Sequence, residues 1–254
     1  MITLEEKAKA ARKKVLELIY KAQTSHIGSN FSVIDIFTVL FDKADLSKDK
    51  IILSAGWKAA SFYYFLAEKG LISKEELDTY CQPGSRLIGL TEPGVPGVHF
   101  AGGSMGMGLP AAVGFALSKK MKGEEGKVYC VMSDGELAIG TTWEAALIAA
   151  HHNLDNLVVI VDCNGLQAMG ETKEILDYYW FPGVNPDHYD YGHDFNIIEG
   201  CFDAAESLSG NKKPKLIMFE TTKGKGVSFM ENNNLFHYKN LSDEEFSKAL
   251  TELK

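Results

Sequence analysis

The sequence predicts an α/β fold in which a parallel sheet is sandwiched by helices, and three observations lead there. Val128-Tyr129-Cys130-Val131-Met132 and Leu157-Val158-Val159-Ile160-Val161 are short, continuous apolar runs rich in β-branched residues, as expected of strands buried on both faces. Between them lies a helix-length stretch from Trp143 to His152, with Thr141 or Thr142 as a cap and Asn153 as its end. Each run then opens into a polar turn, Ser133-Asp134-Gly135-Glu136 after the first and Asp162-Cys163-Asn164-Gly165-Leu166 after the second. A βαβ crossover is almost always right-handed, so the two strands run parallel with their carboxyl ends on one side. Ligands of open α/β sheets sit on that side. Asp134 and Asn164 are thirty positions apart and are expected to converge there.

Taken in order, Leu4 to Ala22 carries apolar residues at Leu4, Ala8, Ala11, Val15, Leu18 and Ile19, the stripe of an amphipathic helix. The polar loop Thr24-Ser25-His26-Ile27-Gly28-Ser29-Asn30 follows, and then a second helix through Ile34, Phe37, Val39 and Leu40. A histidine in such a loop is ordinarily just solvated, but between two helices it is free to face a cleft. Ile51-Ile52-Leu53 is a short strand; Ser54 is expected to cap a helix running to Glu68, with Gly70 as its stop. Ser73-Lys74-Glu75-Glu76 reads as a capping box.

Residues Pro83 to Gly108 form a long loop rich in glycine and proline that enters a helix at Leu109 to Lys122. A loop of that length is functional or disordered. Bare glycines before a helix N-terminus suit close approach of a ligand, although Gly103-Ser104-Met105-Gly106-Met107-Gly108 also fits simple tight packing. A nicotinamide fingerprint is disfavoured because no strand directly precedes Gly102. Further on, Lys173 to Tyr179 is expected to be a short helix and Trp180 to Asp190 irregular. Phe202 to Leu208 reads as helix and Lys215 to Glu220 as a buried strand, which ends in the turn Thr221-Thr222-Lys223-Gly224-Lys225-Gly226. Ser242 caps a last helix. There is no internal repeat or evident linker, so residues 1–254 are expected to be a single domain.

Composition narrows the function classes. A formal net charge of −8 leaves no basic stripe to follow phosphates, so a general nucleic-acid partner is not expected. Cys81, Cys130, Cys163 and Cys201 lack the close pairing of a zinc site. They read as free thiols in a reducing, cytoplasmic setting. The first residues begin an amphipathic helix and not a signal peptide. No apolar run approaches the roughly 20 residues of a membrane span.

Magnesium takes hard oxygen ligands, typically one or two from protein with phosphate and water completing the octahedron. Asp134, the amide oxygen of Asn164 and a backbone carbonyl just beyond it supply such a partial shell. Asp-Gly and Asn-Gly are each ordinary turn chemistry. Both at successive strand ends, one crossover apart, point to a metal–diphosphate site.

These motifs resemble a known family. Ser133-Asp134-Gly135-Glu136-Leu137, Trp143-Glu144-Ala145-Ala146 and Leu154-Asp155-Asn156-Leu157 through Asn164-Gly165-Leu166-Gln167 are similar to the thiamine-diphosphate motif of transketolases. Ser25-His26-Ile27-Gly28, Pro96-Gly97-Val98 to Gly108, and Lys223 to Asn232 with His237 beyond extend the resemblance over nearly the whole chain. It implies the thiamine-diphosphate-binding fold, with magnesium (or calcium) held by Asp134, Asn164 and the Leu166 carbonyl. Gly135 would lie against the diphosphate, Gly103 and Met105 against the aminopyrimidine, and Glu136 and Trp57 beside the cofactor. His26 and His237 would be the catalytic acid–base or hydrogen-bonding groups. The implied reaction is transfer of a two-carbon ketol unit from a ketose to an aldose.

The family's pyrimidine-binding and C-terminal domains are not in these 254 residues, so they are expected on a partner subunit in a dimer of heterodimers. Departures from the family pattern are Gly56-Trp57 for Gly-His, Gly89-Leu90-Thr91-Glu92 for Gly-His-Pro-Glu, and Ile139 for a glutamate that normally helps link paired active sites. The Lys173–His193 region also looks abbreviated. Each replacement removes a polar group near the cleft, which points to an unusual substrate such as a sulfo-, deoxy- or otherwise modified ketose. The alternatives are a degenerate scaffold subunit that binds cofactor without turnover, or the α subunit of a 2-oxo acid dehydrogenase.

Overall fold

A computed structural model describes residues 2–176, 188–207 and 213–254. Its centre is a five-stranded sheet in the order β1-β2-β3-β7-β6, all neighbours parallel. The strands are β1 (Lys50–Leu53), β2 (Val128–Ser133), β3 (Leu157–Cys163), β6 (His188–Tyr191) and β7 (Lys215–Glu220); β4 (Leu166–Gln167) and β5 (Gly170–Glu171) form a separate small hairpin. The helices are α1 (Leu4–Ala22), α2 (Ile27–Ser32), α3 (Ile34–Lys43), α4 (Ala59–Glu68), α5 (Lys74–Leu77), α6 (Gly108–Lys122), α7 (Gly140–His151), α8 (Phe195–Ser207) and α9 (Asp243–Glu252).

The continuous apolar strands serve two cores at once. Tyr129, Val131, Val158, Ile160, Ile217 and Phe219 join the core beneath α1, α3, α4 and α8. Their alternate neighbours Val128, Cys130, Met132, Leu157, Val159, Val161, Leu216 and Met218 pack on the other face with residues of α6 and α7. Side chains alternate along a strand, so a strand covered on both faces is apolar at every position. Each fully buried Val, Leu or Ile contributes about 1.5–3 kcal/mol relative to exposure. The expected sandwich and the βαβ unit are therefore found, with Leu53, Ser133, Cys163 and Glu220 at one edge of the sheet.

Several local expectations changed. Ser54 does not cap the helix after β1, which starts with a short 3-10 turn at Gly56–Lys58. Its hydroxyl instead accepts the Gly108 N–H at the start of α6 and donates to Glu136. A Cβ at Gly108 would collide with the Ser54 side chain, so that glycine is required by close approach. Thr141 and Thr142 do not cap α7 either: they donate to the carbonyls of Gly106 and Glu136. His188-Tyr189-Asp190-Tyr191, expected to be irregular, forms the edge strand β6. Thr172–Glu174 is one 3-10 turn; the remainder of the expected Lys173–Tyr179 helix, and residues 180–187, lie outside the described residues. All four cysteines are free thiols. Among the described residues no helix is long and apolar enough to cross a membrane.

Candidate active site

The turns after β2 and β3 are stitched together by Asp134. One carboxylate oxygen accepts the Gly135 N–H at 2.9 Å; the other accepts the Gly165 N–H at 2.8 Å and the Thr172 hydroxyl at 3.0 Å. The Asn164 amide oxygen accepts the Leu166 N–H at 3.2 Å and so shapes the second turn. Burial, reinforced by the negative charge of Asp162, pushes the Asp134 carboxyl up to about 6.

These turns open onto a cavity of about 460 Å³ lined by nine of the ten residues expected at the site: His26, Trp57, Gly103, Met105, Asp134, Gly135, Asn164, Leu166 and His237. Glu136 is the exception. It is fully buried, and its carboxylate accepts the N–H groups of Ser133 (2.9 Å) and Gly106 (3.1 Å) together with the Ser54 hydroxyl. It ties the glycine-rich loop to the Asp134 turn and does not face the cavity.

Two buried lysines at the site were not singled out from the sequence. Lys58, on the turn after β1, pairs with Asp162 at the end of β3, and both are wholly buried. Ser32 and Thr221 also donate to that carboxylate. The charges and hydroxyls hold the Asp162 carboxyl below the usual range despite a larger opposing push from burial. Lys223, on the turn after β7, donates from Nζ to the Leu166 carbonyl at 3.2 Å and reaches His237 Nδ1 at 2.7 Å. Burial lowers its ammonium to about 8. Its place in a polar glycine turn at a strand's carboxyl end was the same signal that marked Asp134.

The two histidines are joined through the backbone, the His26 N–H donating to the His237 carbonyl at 3.0 Å. His26 has φ 68°, an uncommon left-handed conformation for a non-glycine residue that is worth a functional reading. Its Nδ1 lies 2.7 Å from the Ser25 hydroxyl, and its ring is 5.1 Å from His237 and 5.3 Å from Tyr238. Burial first, and then the Lys223 charge, lowers both imidazoles to about 4, so both are neutral near pH 7. An ammonium has no lone pair, so His237 Nδ1 accepts from Lys223 and Nε2 carries the ring proton.

The mouth of the cavity is apolar, with Trp57, Leu90, Met105, Met169 and Tyr238 around it. Leu90 Cδ1 would meet a Cβ on Gly103 at 3.0 Å, and Ile139 Cγ2 would meet one on Gly106 at 2.5 Å. Leu90 and Ile139 thus lie close against the glycine-rich loop and leave room there only for glycine. Among the described residues no three His, Cys, Asp or Glu side chains are grouped to hold a metal. The candidate donors are one carboxylate, one amide oxygen and one carbonyl, a set that suits magnesium sharing its shell with phosphate. The Leu166 carbonyl already receives a cation, the Lys223 ammonium.

Comparison with known proteins fits this geometry. The family described as "Transketolase, thiamine diphosphate binding domain" matches residues 4–253. A protein of Actinobacillus succinogenes, named as one of the subunits of an apulose-4-phosphate transketolase, is 39% identical over 99% of this chain and 96% of its own length. The 6-deoxy-6-sulfo-D-fructose transketolase subunit SqwG of a Clostridium species is 33% identical, covering 100% of this chain and 97% of its own. The solved transketolase of Campylobacter jejuni superposes with a TM-score of 0.91 at 29% identity, over 98% of this chain but only 42% of that one.

Proposed function

The chain belongs to the transketolase family, as its thiamine diphosphate binding domain, and on that premise we propose that it is the diphosphate-binding subunit of a transketolase completed by a second polypeptide. The pair transfers a two-carbon ketol unit from a modified ketose to an aldose. Relatives named as single subunits of apulose-4-phosphate and sulfofructose transketolases match this chain over almost their full lengths. That supports an enzyme divided between chains, with residues 1–254 as one cofactor domain and the pyrimidine-binding part on the partner. A dimer of such heterodimers is the assembly proposed. The same relatives leave no support for the 2-oxo acid dehydrogenase reading.

The observation that carries the site assignment is the convergence of Asp134, Asn164, Leu166, His26 and His237 on one cavity. Asp134, the Asn164 amide oxygen and the Leu166 carbonyl would hold magnesium, or calcium in its place. Gly135 would lie along the diphosphate, and Gly103 and Met105 along the aminopyrimidine. Bound thiamine diphosphate supplies the carbanion chemistry that cleaves and re-forms the carbon–carbon bond. The chain's own contribution is orientation and hydrogen bonding. His237, with Nε2 protonated, would donate to an oxygen of the sugar. His26, neutral and fixed by Ser25 and by the His237 carbonyl, would accept or return a proton through its remaining ring nitrogen. The apolar mouth favours a ketose that presents fewer or displaced hydroxyls, since an unmatched hydroxyl there would be desolvated without a partner.

The test combines the chain with its partner subunit and magnesium, measures thiamine diphosphate binding by calorimetry, and assays ketol transfer from branched, sulfonated and ordinary ketose phosphates. Binding together with transfer from at least one modified ketose is expected. Cofactor binding without transfer from any sugar in the panel would favour the scaffold reading instead.

A further inference from the structure

We propose that His193, gripped by Asp35 and Arg12, is a positioning residue: it clamps the turn after β7 so that Lys223 meets His237. The inference rests on the reading of the cavity given above, because it concerns how one of its walls is held.

The clamp is built from three distant elements. Arg12 comes from α1, Asp35 from α3, and His193 from the segment between β6 and α8. Arg12 and Asp35 are buried, and the His193 side chain is 2% exposed. One Asp35 oxygen takes both an Arg12 guanidinium nitrogen at 2.5 Å and His193 Nδ1 at 2.7 Å. The far side of the imidazole, Nε2, accepts the Thr222 N–H at 2.7 Å. Arg12 Nε donates to the Lys225 carbonyl at 3.1 Å. The turn is therefore held through the residue before Lys223 and again two residues after it.

This arrangement fixes the His193 ring in one state. Because Nε2 accepts an amide proton, it carries none of its own; Nδ1 must hold the ring proton and donate to Asp35. The turn it holds needs restraint. Gly224 and Gly226 have φ of 82° and 95°, and the Lys223 Cγ would be 3.0 Å from a Cβ on Gly28. Lys223 Nζ must reach both the Leu166 carbonyl and His237 Nδ1. Displacement of about 1 Å is enough to undo such contacts at a reacting centre. Loss of the ammonium from Nδ1 would free His237 to exchange tautomers and would remove the proton from Nε2 for part of the time. A buried ion pair kept only for stability is a weak alternative, since such pairs often add little net stability.

The experiment uses the full chain with ¹⁵N-labelled histidine. His193→Gln can still accept from Thr222 and donate to Asp35; His193→Leu can do neither. The parent and H193Q are expected to show His237 as a single tautomer protonated at Nε2, while H193L shows mixed tautomers. With magnesium and the partner subunit, H193L should weaken thiamine diphosphate binding by roughly tenfold or more, as loss of outer-shell partners commonly does, and H193Q should restore it. A folded H193L with the parent's His237 signals, or an H193Q that mixes tautomers as fully as H193L, would overturn the clamp. If H193L does not fold, Arg12→Met decides: the same mixing is required, and parent-like signals would sink the proposal. The tautomer is read without cofactor. A parent chain that binds no thiamine diphosphate would therefore remove the functional reading and leave the clamp standing.

Discussion

Asp134, at the inner end of the cavity, is bonded to two backbone N–H groups and a hydroxyl, and Asp162, buried behind it, to a lysine and two hydroxyls, all within the folded chain. At the mouth, Met169 and Tyr238 are 84% and 62% exposed, and Leu90 also lies partly open. The inner end is thus specified by backbone turns at four strand ends, where altering one side chain leaves a buried polar partner unsatisfied. The mouth is specified by partly exposed side chains that lie outside the sheet, so they can change without disturbing it. On the function proposed above, metal and diphosphate would be held at the constrained end, and sugar preference would be set at the end that can vary.

The largest effect should come from the constrained end. Asp134→Ala removes the only carboxylate among the proposed metal donors. Magnesium-dependent binding of thiamine diphosphate by the assembled complex should disappear in calorimetry. Unchanged binding would mean that the metal is not held where the comparison requires it.

Next comes Lys58→Met, which leaves Asp162 buried and charged. Breaking a buried pair in this way costs about 3–5 kcal/mol, to be read as a lowered urea midpoint with an unchanged slope. A midpoint like the parent's would show that the inner end tolerates substitution as the mouth does, and the contrast would fail.

A smaller effect concerns the histidines between the two ends. His26 and His237 are lowered from 6.5 to about 4, so the unfolded chain takes up protons before the folded one does. The stability linked to these neutral rings is fully present above about pH 6.5 and is lost as pH falls toward 4. Urea melts of the parent should show that decline, and a His26→Gln, His237→Gln double variant should show a shallower one. Identical acid-side slopes would mean that the rings are solvated and not part of the buried site.

The sequence made the sheet legible because its central strands serve two cores and so are apolar throughout. It made Asp134 and Asn164 legible because turn chemistry at strand ends has few other uses in pairs. It left β6 unread, since His188-Tyr189-Asp190-Tyr191 is an edge strand without an apolar run. Lys58 and Lys223 were passed over because a lysine in a turn is normally solvated, and only the packing of other segments over these two buries them. Ser54 misled for a related reason, and Glu136 was only partly legible. Ser54 has the residue type of a local cap, yet it bonds to Gly108 and Glu136; Glu136 does accept the nearby Ser133 N–H, but it also reaches Gly106 and Ser54, and side-chain type alone carries no information on such long-range bonds.

The smallest effect, and the one most particular to the mouth, is that of Trp57→His. Trp57 packs its ring 6.5 Å from His26, while its backbone carbonyl accepts from Asn30 at 3.0 Å; the substitution keeps the backbone bond and exchanges a bulky ring that can only donate for a smaller one that also accepts. An ordinary ketose phosphate would then find a partner for a hydroxyl that Trp57 leaves desolvated. A gain of one such hydrogen bond shifts discrimination by roughly tenfold, so the ratio of kcat/KM for an ordinary over a modified ketose should rise by about that factor. Magnesium-dependent cofactor affinity, set at the other end, should stay within a few-fold of the parent's. A changed cofactor affinity with an unmoved sugar ratio would reverse the assignment of the two ends, because it would make Trp57 part of the cofactor's wall and leave sugar preference to the partner chain.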